Sequence, residues 1–137
     1  MEHLQLIEAK SNKHVAGAAL RTFFNIAEAW QLSNTEQMAL LGGPAKSTFY
    51  NWKKYSATGD TVQLTHDTLE RISYILGIYK ALQMLLPSDE AADAWVKKPN
   101  NASIFGGQSA LDRMLGGNVA DLYVVRRYLD AERGFEA

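Results

Sequence analysis

One segment, residues 42–54, constrains this chain more than any other, because it reads as a sharp turn followed by an amphipathic helix. Gly42, Gly43 and Pro44 predict the turn, since glycine tolerates left-handed backbone geometry and proline suits the first turn of a helix. At about 100° per residue the following helix has two unlike faces. The face that we expect to lie in a core carries Ala45, Phe49 and Trp52.

The opposite face of this helix carries hydrogen-bonding side chains and cations, the chemistry that contacts base edges and phosphates. No Asp or Glu occurs between Gly42 and Gly59, so no carboxylate there repels a polyanion. We interpret the segment as the recognition element of a helix-turn-helix. The predicted DNA contacts are Lys46, Ser47, Thr48, Tyr50, Asn51, Lys53 and Lys54. The alternative is a solvated helix face that carries a few lysines.

Composition excludes several classes of protein. The chain has 137 residues, 47% of them hydrophobic, which is enough for one domain or for two small halves that share a core. It contains no cysteine, which excludes disulfides and fits a reducing compartment. Because no apolar run reaches the roughly 20 residues that span a bilayer, and no signal pattern opens the chain, we expect a cytoplasmic protein without membrane contact.

The net charge of −1 argues against a non-specific polycation that coats nucleic acid. Residues 1–86 carry 8 Lys and Arg against 7 Asp and Glu, whereas residues 87–137 carry 6 against 8. This small difference fits a DNA-facing first part and a differently used second part. The recognition segment has lysines but no arginine, the usual bidentate reader of guanine, so we expect it to be a modest DNA reader alone.

The rest of the chain predicts an all-α fold, because apolar residues recur at helical spacing and no strand-like alternation is present. We expect an irregular arm over residues 1–13, and long helices over residues 15–30, 69–86 and 119–133. Two short helices are expected after Ser88 and Ser109. The predicted loops are residues 55–63 and 97–107.

Capping residues mark the predicted helix starts, because their side-chain oxygens accept hydrogen bonds from free backbone N–H groups. Ser33, with Glu36 three residues later, predicts a capping box. The other predicted caps are Thr65, Ser88, Ser109 and Asn118. Gly77 interrupts the helix of residues 69–86 and predicts either a bend or a close helix contact.

The sequence offers no catalytic residue, metal site or cofactor site. His3, His14 and His66 lack close spacing to one another, and the chain has no cysteine to join them. The pairs Gly106-Gly107 and Gly116-Gly117 lack the Gly-Lys-Ser/Thr of a phosphate loop, so turns and caps explain them better. We therefore expect a binding protein and not an enzyme.

The predicted last helix carries a second candidate binding face. Leu122, Val125 and Leu129 cluster on one side and should pack inward. Another side combines small residues, an aromatic residue and an arginine, which suits a protein partner because Tyr and Arg are enriched at interface centres. Its members are Ala120, Val124, Arg127, Tyr128 and Ala131. The alternative is an ordinary surface helix with single exposed apolar residues.

Taken together in order and spacing, several short stretches make the chain resemble the MbcA/ParS/Xre antitoxins, the partners of RES-domain toxins. The matching stretches are Trp30-Gln31-Leu32-Ser33, Leu41-Gly42, Thr48-Phe49-Tyr50-Asn51-Trp52, Leu69-Glu70-Arg71-Ile72-Ser73, Leu76-Gly77-Ile78-Tyr79-Lys80-Ala81-Leu82, Trp95, Pro99-Asn100, Phe105-Gly106, Leu111 with Gly116, and Val125-Arg126-Arg127-Tyr128-Leu129-Asp130. They extend over most of the chain, from about Ala18 to Gly134.

The resemblance implies an Xre-type helix-turn-helix DNA-binding domain over residues 1–86 and a toxin-binding domain over residues 87–137. It further implies an antitoxin that covers the active site of an NAD-consuming toxin and represses its own operon by binding operator DNA. On this interpretation the partner face of the last helix, with the tail of residues 132–137, binds the toxin.

Helix-turn-helix proteins usually pair to read two half-sites, so we expect a homodimer. Residues 69–86 are a candidate part of the interface, and intramolecular core is the alternative for most of them.

Two other functions stay open at this point. One is a helix-turn-helix regulator without a toxin partner, and the other is a dimerising interaction protein that does not bind DNA.

Overall fold

Seven α-helices form the described part of the chain in the computed structural model, which describes the backbone of residues 2–59 and 61–134 and the side chains of residues 15–59 and 61–134. They are α1 (Glu2–Ala29), α2 (Asn34–Leu40), α3 (Lys46–Thr58), α4 (His66–Leu85), α5 (Asp89–Trp95), α6 (Ala110–Met114) and α7 (Val119–Glu132). Within the described ranges no strand forms, apart from an isolated bridge between Pro99 and Ser109. The predicted all-α fold is confirmed.

Most helix starts lie where the sequence predicts them. Ser33 Oγ accepts a hydrogen bond from the Glu36 amide at 3.1 Å, and the Glu36 carboxylate accepts one from the Ser33 amide at 2.8 Å, so the capping box forms. Ser109 makes a second capping box with Asp112. The other predicted caps that accept from an amide three residues later are Thr65 and Ser88. Asn118 precedes α7 but makes no side-chain cap bond.

Two helices are longer than predicted. α1 begins at Glu2, so the predicted irregular arm is wrong for residues 2–13, and Met1 lies outside the described residues. No glycine or proline interrupts those residues, so nothing in the backbone stops the helix there. α3 continues to Thr58, so the start of the loop predicted for residues 55–63 is helical. The helix ends only at Gly59, whose φ of 81° is left-handed.

The start of α3 differs from the prediction by one position. Ala45 is the N-cap, with extended backbone at φ −60° and ψ 148°, and its side chain is exposed. The prediction that Ala45 lies on the buried face is therefore wrong, because a residue outside the helix does not follow the helical period. Pro44 likewise lies before the first turn of α3 and not within it.

α4 is the central helix. It packs along α1, α5 and α7, while α3 packs on α1 and α6 packs on α7. The apolar residues that α4 buries within the chain are Ile72, Ile75, Ile78, Ala81 and Leu82. For these residues the intramolecular alternative to a dimer interface is confirmed. Met84, an apolar residue of the same helix, is not part of this buried set, because 69% of it is exposed.

Gly77 makes a close helix contact, as one of the two predicted alternatives requires. A Cβ on Gly77 would overlap Nη1 and Cζ of Arg126 and lie 2.7 Å from its Nε. That guanidinium crosses α4 at Gly77 while its Nε donates to Asp130 Oδ2 at 3.0 Å. The missing side chain therefore leaves room for the Arg126 guanidinium of α7 against the surface of α4.

Gly77→Ala should change the free energy of unfolding by less than about 1 kcal/mol, because the overlapping atoms are the flexible end of Arg126. Moving them costs at most the ion pair with Asp130, which offsets the roughly 1 kcal/mol that alanine gains in helix propensity. Urea unfolding measures the change. In an Arg126→Ala background the overlap is absent, so the same substitution should stabilise the protein by about 1 kcal/mol. An equal change in both backgrounds would contradict the contact.

Candidate DNA-binding and partner-binding faces

α2, the turn of residues 41–45 and α3 form a helix-turn-helix. Gly42 and Gly43 have φ values of 97° and 75°, and the Gly43 amide donates to the Met38 carbonyl at 2.9 Å. A Cβ on Gly42 would lie 3.0 Å from Arg71 Nε. Arg71 is buried and donates to Asp67 Oδ2 at 2.9 Å. The first turns of α4 therefore pack against the turn that precedes and orients α3.

The inner face of α3 is fixed against α1. Phe49 is fully buried, and its ring meets Phe24 edge-on with centroids 5.9 Å apart. Trp52 is half-buried and packs against the same core. Near the end of α3, Arg21 Nη1 donates to the Ser56 carbonyl at 3.4 Å. The predicted core positions of Phe49 and Trp52 are confirmed.

The outer face of α3 displays most of the predicted DNA contacts. The exposed members are Lys46, Ser47, Tyr50, Asn51 and Lys54, and the half-buried members are Thr48 and Lys53. Lys46 and Lys54 make no ion pair or side-chain hydrogen bond within the described part of the chain. This face therefore presents uncompensated positive charge beside hydroxyl and amide groups, which suits phosphate oxygens and base edges.

Lys53 has a different orientation from its neighbour Lys54. Its ammonium lies 5.1 Å from the ring centroid of Phe49 and 5.5 Å from that of Phe24, and it donates to Asn34 Oδ1 at 2.9 Å. Helical period alone does not predict this position, because both Phe24 and Asn34 come from other helices. Asn34 is a residue of this site that sequence reasoning missed.

The inner face of α7 is as predicted, since Leu122, Val125 and Leu129 are buried. In the predicted partner face, Ala120, Arg127 and Ala131 are exposed, whereas Val124 and Tyr128 are half-buried.

Tyr128 packs within an aromatic cluster. Its ring stacks on Trp95 with centroids 6.5 Å apart and meets Phe105 edge-on at 5.3 Å. The loop that carries Phe105 is closed by the Asn100 amide, which donates to the Gln108 carbonyl at 2.9 Å. Tyr128 thus joins α7 to α5 and to this loop.

Tyr123 is an exposed residue of α7 that sequence reasoning missed, and 42% of it is accessible. Arg127 Nη1 donates to the Tyr123 hydroxyl at 3.1 Å, and its guanidinium lies 5.5 Å from the centre of the Tyr123 ring. Tyr74 of α4 meets that ring edge-on at 5.6 Å. The spacing of four residues between Tyr123 and Arg127 was the signal that could have found this pair.

Arg127 also differs from the other arginines near it. Arg126 pairs with Asp130 and Arg113 pairs with Asp121, each at 2.9–3.0 Å, but no carboxylate of a described residue pairs with Arg127. An arginine that contacts an exposed tyrosine and pairs with no described carboxylate is a typical interface anchor.

The hydroxyl of Tyr74 is held neutral beside this pair. It donates to Glu70 Oε2 at 2.9 Å, and this hydrogen bond, followed by burial, raises the pKa of Tyr74 above its ordinary value. The Tyr74 hydroxyl therefore keeps its proton while it donates to Glu70, and the positive charge of the face comes from Arg127.

A groove of about 530 Å³ lies between the end of α1 and α5. Lys97 Nζ crosses it to donate to the Gln31 carbonyl at 2.8 Å. Two buried atoms of groove residues, Trp30 Nε1 and Asp93 Oδ1, have no hydrogen-bond partner among the described residues. Burial raises the pKa of the Asp93 carboxyl, and the nearby Asp89 raises it further.

Asp93→Asn should therefore stabilise the fold at pH 7, because it removes a carboxylate that folding desolvates. The folded-state pKa exceeds the unfolded value, so the contribution of Asp93 to stability is largest at low pH and is lost as pH rises through the folded pKa. Thermal unfolding should show a gain that shrinks as pH falls toward 3.8, the ordinary value. Glu90→Gln, at an exposed position of the same helix, is the control, because Glu90 does not contribute to the shift of Asp93. A gain independent of pH would contradict the desolvation.

The described side chains form no group of His, Asp and Glu that could hold a metal ion. His66 begins α4, and the side chains of His3 and His14 lie outside the described ones. No helix in the described ranges is long and apolar enough to cross a membrane.

Comparisons with known proteins match two successive parts of the chain to known domains. Residues 15–77, which include α2 and α3, match the model of the antitoxin Xre-like helix-turn-helix domain. Residues 81–134, which include α7, match the model of the antitoxin Xre/MbcA/ParS C-terminal toxin-binding domain. The two matches meet inside α4, and the predicted boundary after Leu86 stays a prediction.

The chain is also similar to y4oB, an uncharacterized protein of Sinorhizobium fredii. The two are 51% identical over 117 residues, which is 85% of each chain. A helix-turn-helix domain and a toxin-binding domain in one chain are the parts of an antitoxin. The chain belongs to the Xre/MbcA/ParS antitoxin family.

Proposed function

We propose that this antitoxin neutralises a RES-domain toxin that consumes NAD, by covering the toxin's active site, and represses its own operon by binding operator DNA as a homodimer in the cytoplasm. The proposed DNA contacts are Lys46, Ser47, Thr48, Tyr50, Asn51, Lys53 and Lys54. The proposed toxin contacts are Ala120, Val124, Arg127, Tyr128 and Ala131, to which we add Tyr123. The resemblance to the MbcA/ParS/Xre antitoxins, the partners of RES-domain toxins, supports the RES identity of the toxin.

One observation carries the proposal: α3 and α7 each expose a face, and the two faces differ in chemistry. α3 packs on α1, whereas α7 packs on α4. The α3 face offers lysines, hydroxyls and an amide, while the α7 face offers a stacked tyrosine and arginine. The first suits a polyanion and the second suits a protein surface.

The homodimer follows from the weakness of a single α3 face. Only Lys46 and Lys54 project cationic side chains without a described partner, and no arginine joins them. Since each phosphate contact adds only a small electrostatic gain, one such face binds DNA weakly. Two copies on neighbouring half-sites add their contacts, which is the usual arrangement of helix-turn-helix proteins.

Toxin neutralisation is tested by co-expression with the toxin that a neighbouring reading frame encodes. We expect growth to be rescued, cellular NAD to be maintained, and the two proteins to co-purify. If growth stays arrested although both proteins are soluble, the antitoxin part of the proposal fails, and a regulator without a toxin partner becomes the better description.

Operator binding is tested by a gel shift on the protein's own promoter at several salt concentrations. We expect binding that weakens steeply with salt, because phosphate contacts release counterions. Triple replacement of Lys46, Lys53 and Lys54 by alanine should abolish the shift. Rescue of growth without any shift at low salt would leave a dimerising interaction protein that does not bind DNA.

A further inference from the structure

Asn34, the first residue of α2, joins two side chains of α3. Its Oδ1 accepts from Lys53 Nζ at 2.9 Å, and its Nδ2 donates to the Tyr50 hydroxyl at 3.1 Å. Lys53 is half-buried over the Phe49 and Phe24 rings, whereas Asn34 and Tyr50 are exposed. The three side chains form a bridge across the seam between the two helices of the helix-turn-helix.

The chemistry of Lys53 fixes the direction of every hydrogen bond in this bridge. An ammonium group only donates, so it must meet the amide oxygen of Asn34, and the amide NH2 must then face Tyr50. The Tyr50 oxygen is therefore the acceptor of that bond. Its single proton is not used there, and no described residue accepts it. Tyr50 consequently presents a hydroxyl donor away from the bridge.

The position of Tyr50 decides which acceptor this donor can meet. At helical spacing Tyr50 lies at the edge of the α3 face that borders α2, whereas Ser47 and Lys54 lie nearer the centre of that face. Side chains at the centre of a recognition helix face the base edges, and those at its border face the DNA backbone. A phosphate oxygen only accepts hydrogen bonds, which complements a hydroxyl whose acceptor side is already occupied.

The geometry points to Asn34 as a positioning residue that orients the Tyr50 hydroxyl to donate to an operator phosphate. Lys53 holds Asn34 in this orientation through its hydrogen bond to Oδ1. Lys53 then contacts the protein and not the DNA, because its ammonium group lies over two aromatic rings and donates to the Asn34 oxygen. This inference rests on the proposed operator binding. It makes Asn34 a positioning residue, and it changes Lys53 from a proposed DNA contact to a residue that holds Asn34 in place.

Gel-shift titrations on the protein's own promoter test this arrangement with small changes. Tyr50→Phe keeps the ring and removes the donor, and should weaken binding by about 10-fold. Its salt dependence should stay unchanged, because a neutral donor releases no counterion. Asn34→Ala should weaken binding by a similar factor, and the double variant should bind no more weakly than Tyr50→Phe alone. Thermal melts of each variant confirm that the fold is kept.

The two adjacent lysines provide a matched pair. Lys54→Ala should lower the slope of log affinity against log salt by about one per bound protomer, whereas Lys53→Ala should leave that slope unchanged. Equal slope losses for both lysines, or wild-type affinity in Tyr50→Phe, would overturn the assignment. Wild-type protein that fails to shift the promoter even at low salt would instead overturn the proposed operator binding, and this inference with it.

Discussion

Alanine at Phe49 should destabilise the protein by about 3–5 kcal/mol and abolish operator binding. Phe49 is fully buried, and it is the apolar residue of α3 that lies deepest in the core. Its ring contacts Phe24 of α1, and the Lys53 ammonium lies over it at 5.1 Å. The substitution leaves a cavity between α1 and α3 and removes the surface under Lys53. Since domains are typically stable by only about 5–15 kcal/mol, this loss is a large part of the total.

Urea unfolding followed by circular dichroism measures the effect. Tyr55→Ala is the matched control, because Tyr55 is an aromatic residue of the same helix that is 39% exposed, and its truncation should change stability by less than about 0.5 kcal/mol. A Phe49→Ala variant that unfolds at the same urea concentration as Tyr55→Ala would show that Phe49 does not anchor α3.

Sequence reasoning predicted the features that depend on a few neighbouring residues. The Ser33–Glu36 capping box needs only a hydroxyl and a carboxylate three residues apart, and it forms as predicted. The burial of Phe49 and Leu122 follows from helical period alone. Ala45 shows the limit of that argument, because one residue of error in the helix start moves a side chain from the core to solvent.

The candidate sites depend on contacts between distant parts of the chain, and here the sequence predicted less. Lys53 has the same charge as Lys54, and only the presence of Phe24 and Asn34 beside it turns it toward the protein. Tyr128 is likewise a residue type that is common in partner contacts, but its ring packs against Trp95 and Phe105. Helical period predicts the side of a helix on which a residue lies, whereas the neighbours that complete a site come from other parts of the chain.

The position of α4 explains why the two matched domains form one core. Residues 15–77 and 81–134 each include part of α4, and α1 and α7 pack along it. Arg71 joins α4 to the helix-turn-helix turn, and Arg126 joins it to α7 at Gly77. A substitution that loosens α4 should therefore disturb both binding faces, whereas changes to exposed side chains of α3 or α7 should affect one partner alone.

Alanine at both Tyr123 and Arg127 should abolish protection from the toxin while promoter binding is kept. Each truncation removes a typical interface anchor and should weaken toxin affinity by about 2 kcal/mol or more, roughly 30-fold. Arg127 supplies a positive charge with no described carboxylate partner, and Tyr123 supplies an exposed ring on which the guanidinium is already placed. Because the two side chains already contact each other, little side-chain entropy is lost when a partner binds, and the positive charge suits an acidic group.

Calorimetric titration of the purified toxin with single and double variants measures the loss. Because the two side chains touch, their effects should not add, and the double variant should lose less than the two single losses together. Tyr55→Ala removes an equally exposed tyrosine from α3 and should leave toxin affinity unchanged. Tyr128→Ala is a poor test, because it also breaks the contacts with Trp95 and Phe105 that hold α7. Wild-type affinity in the double variant would move the toxin-binding surface away from this face of α7.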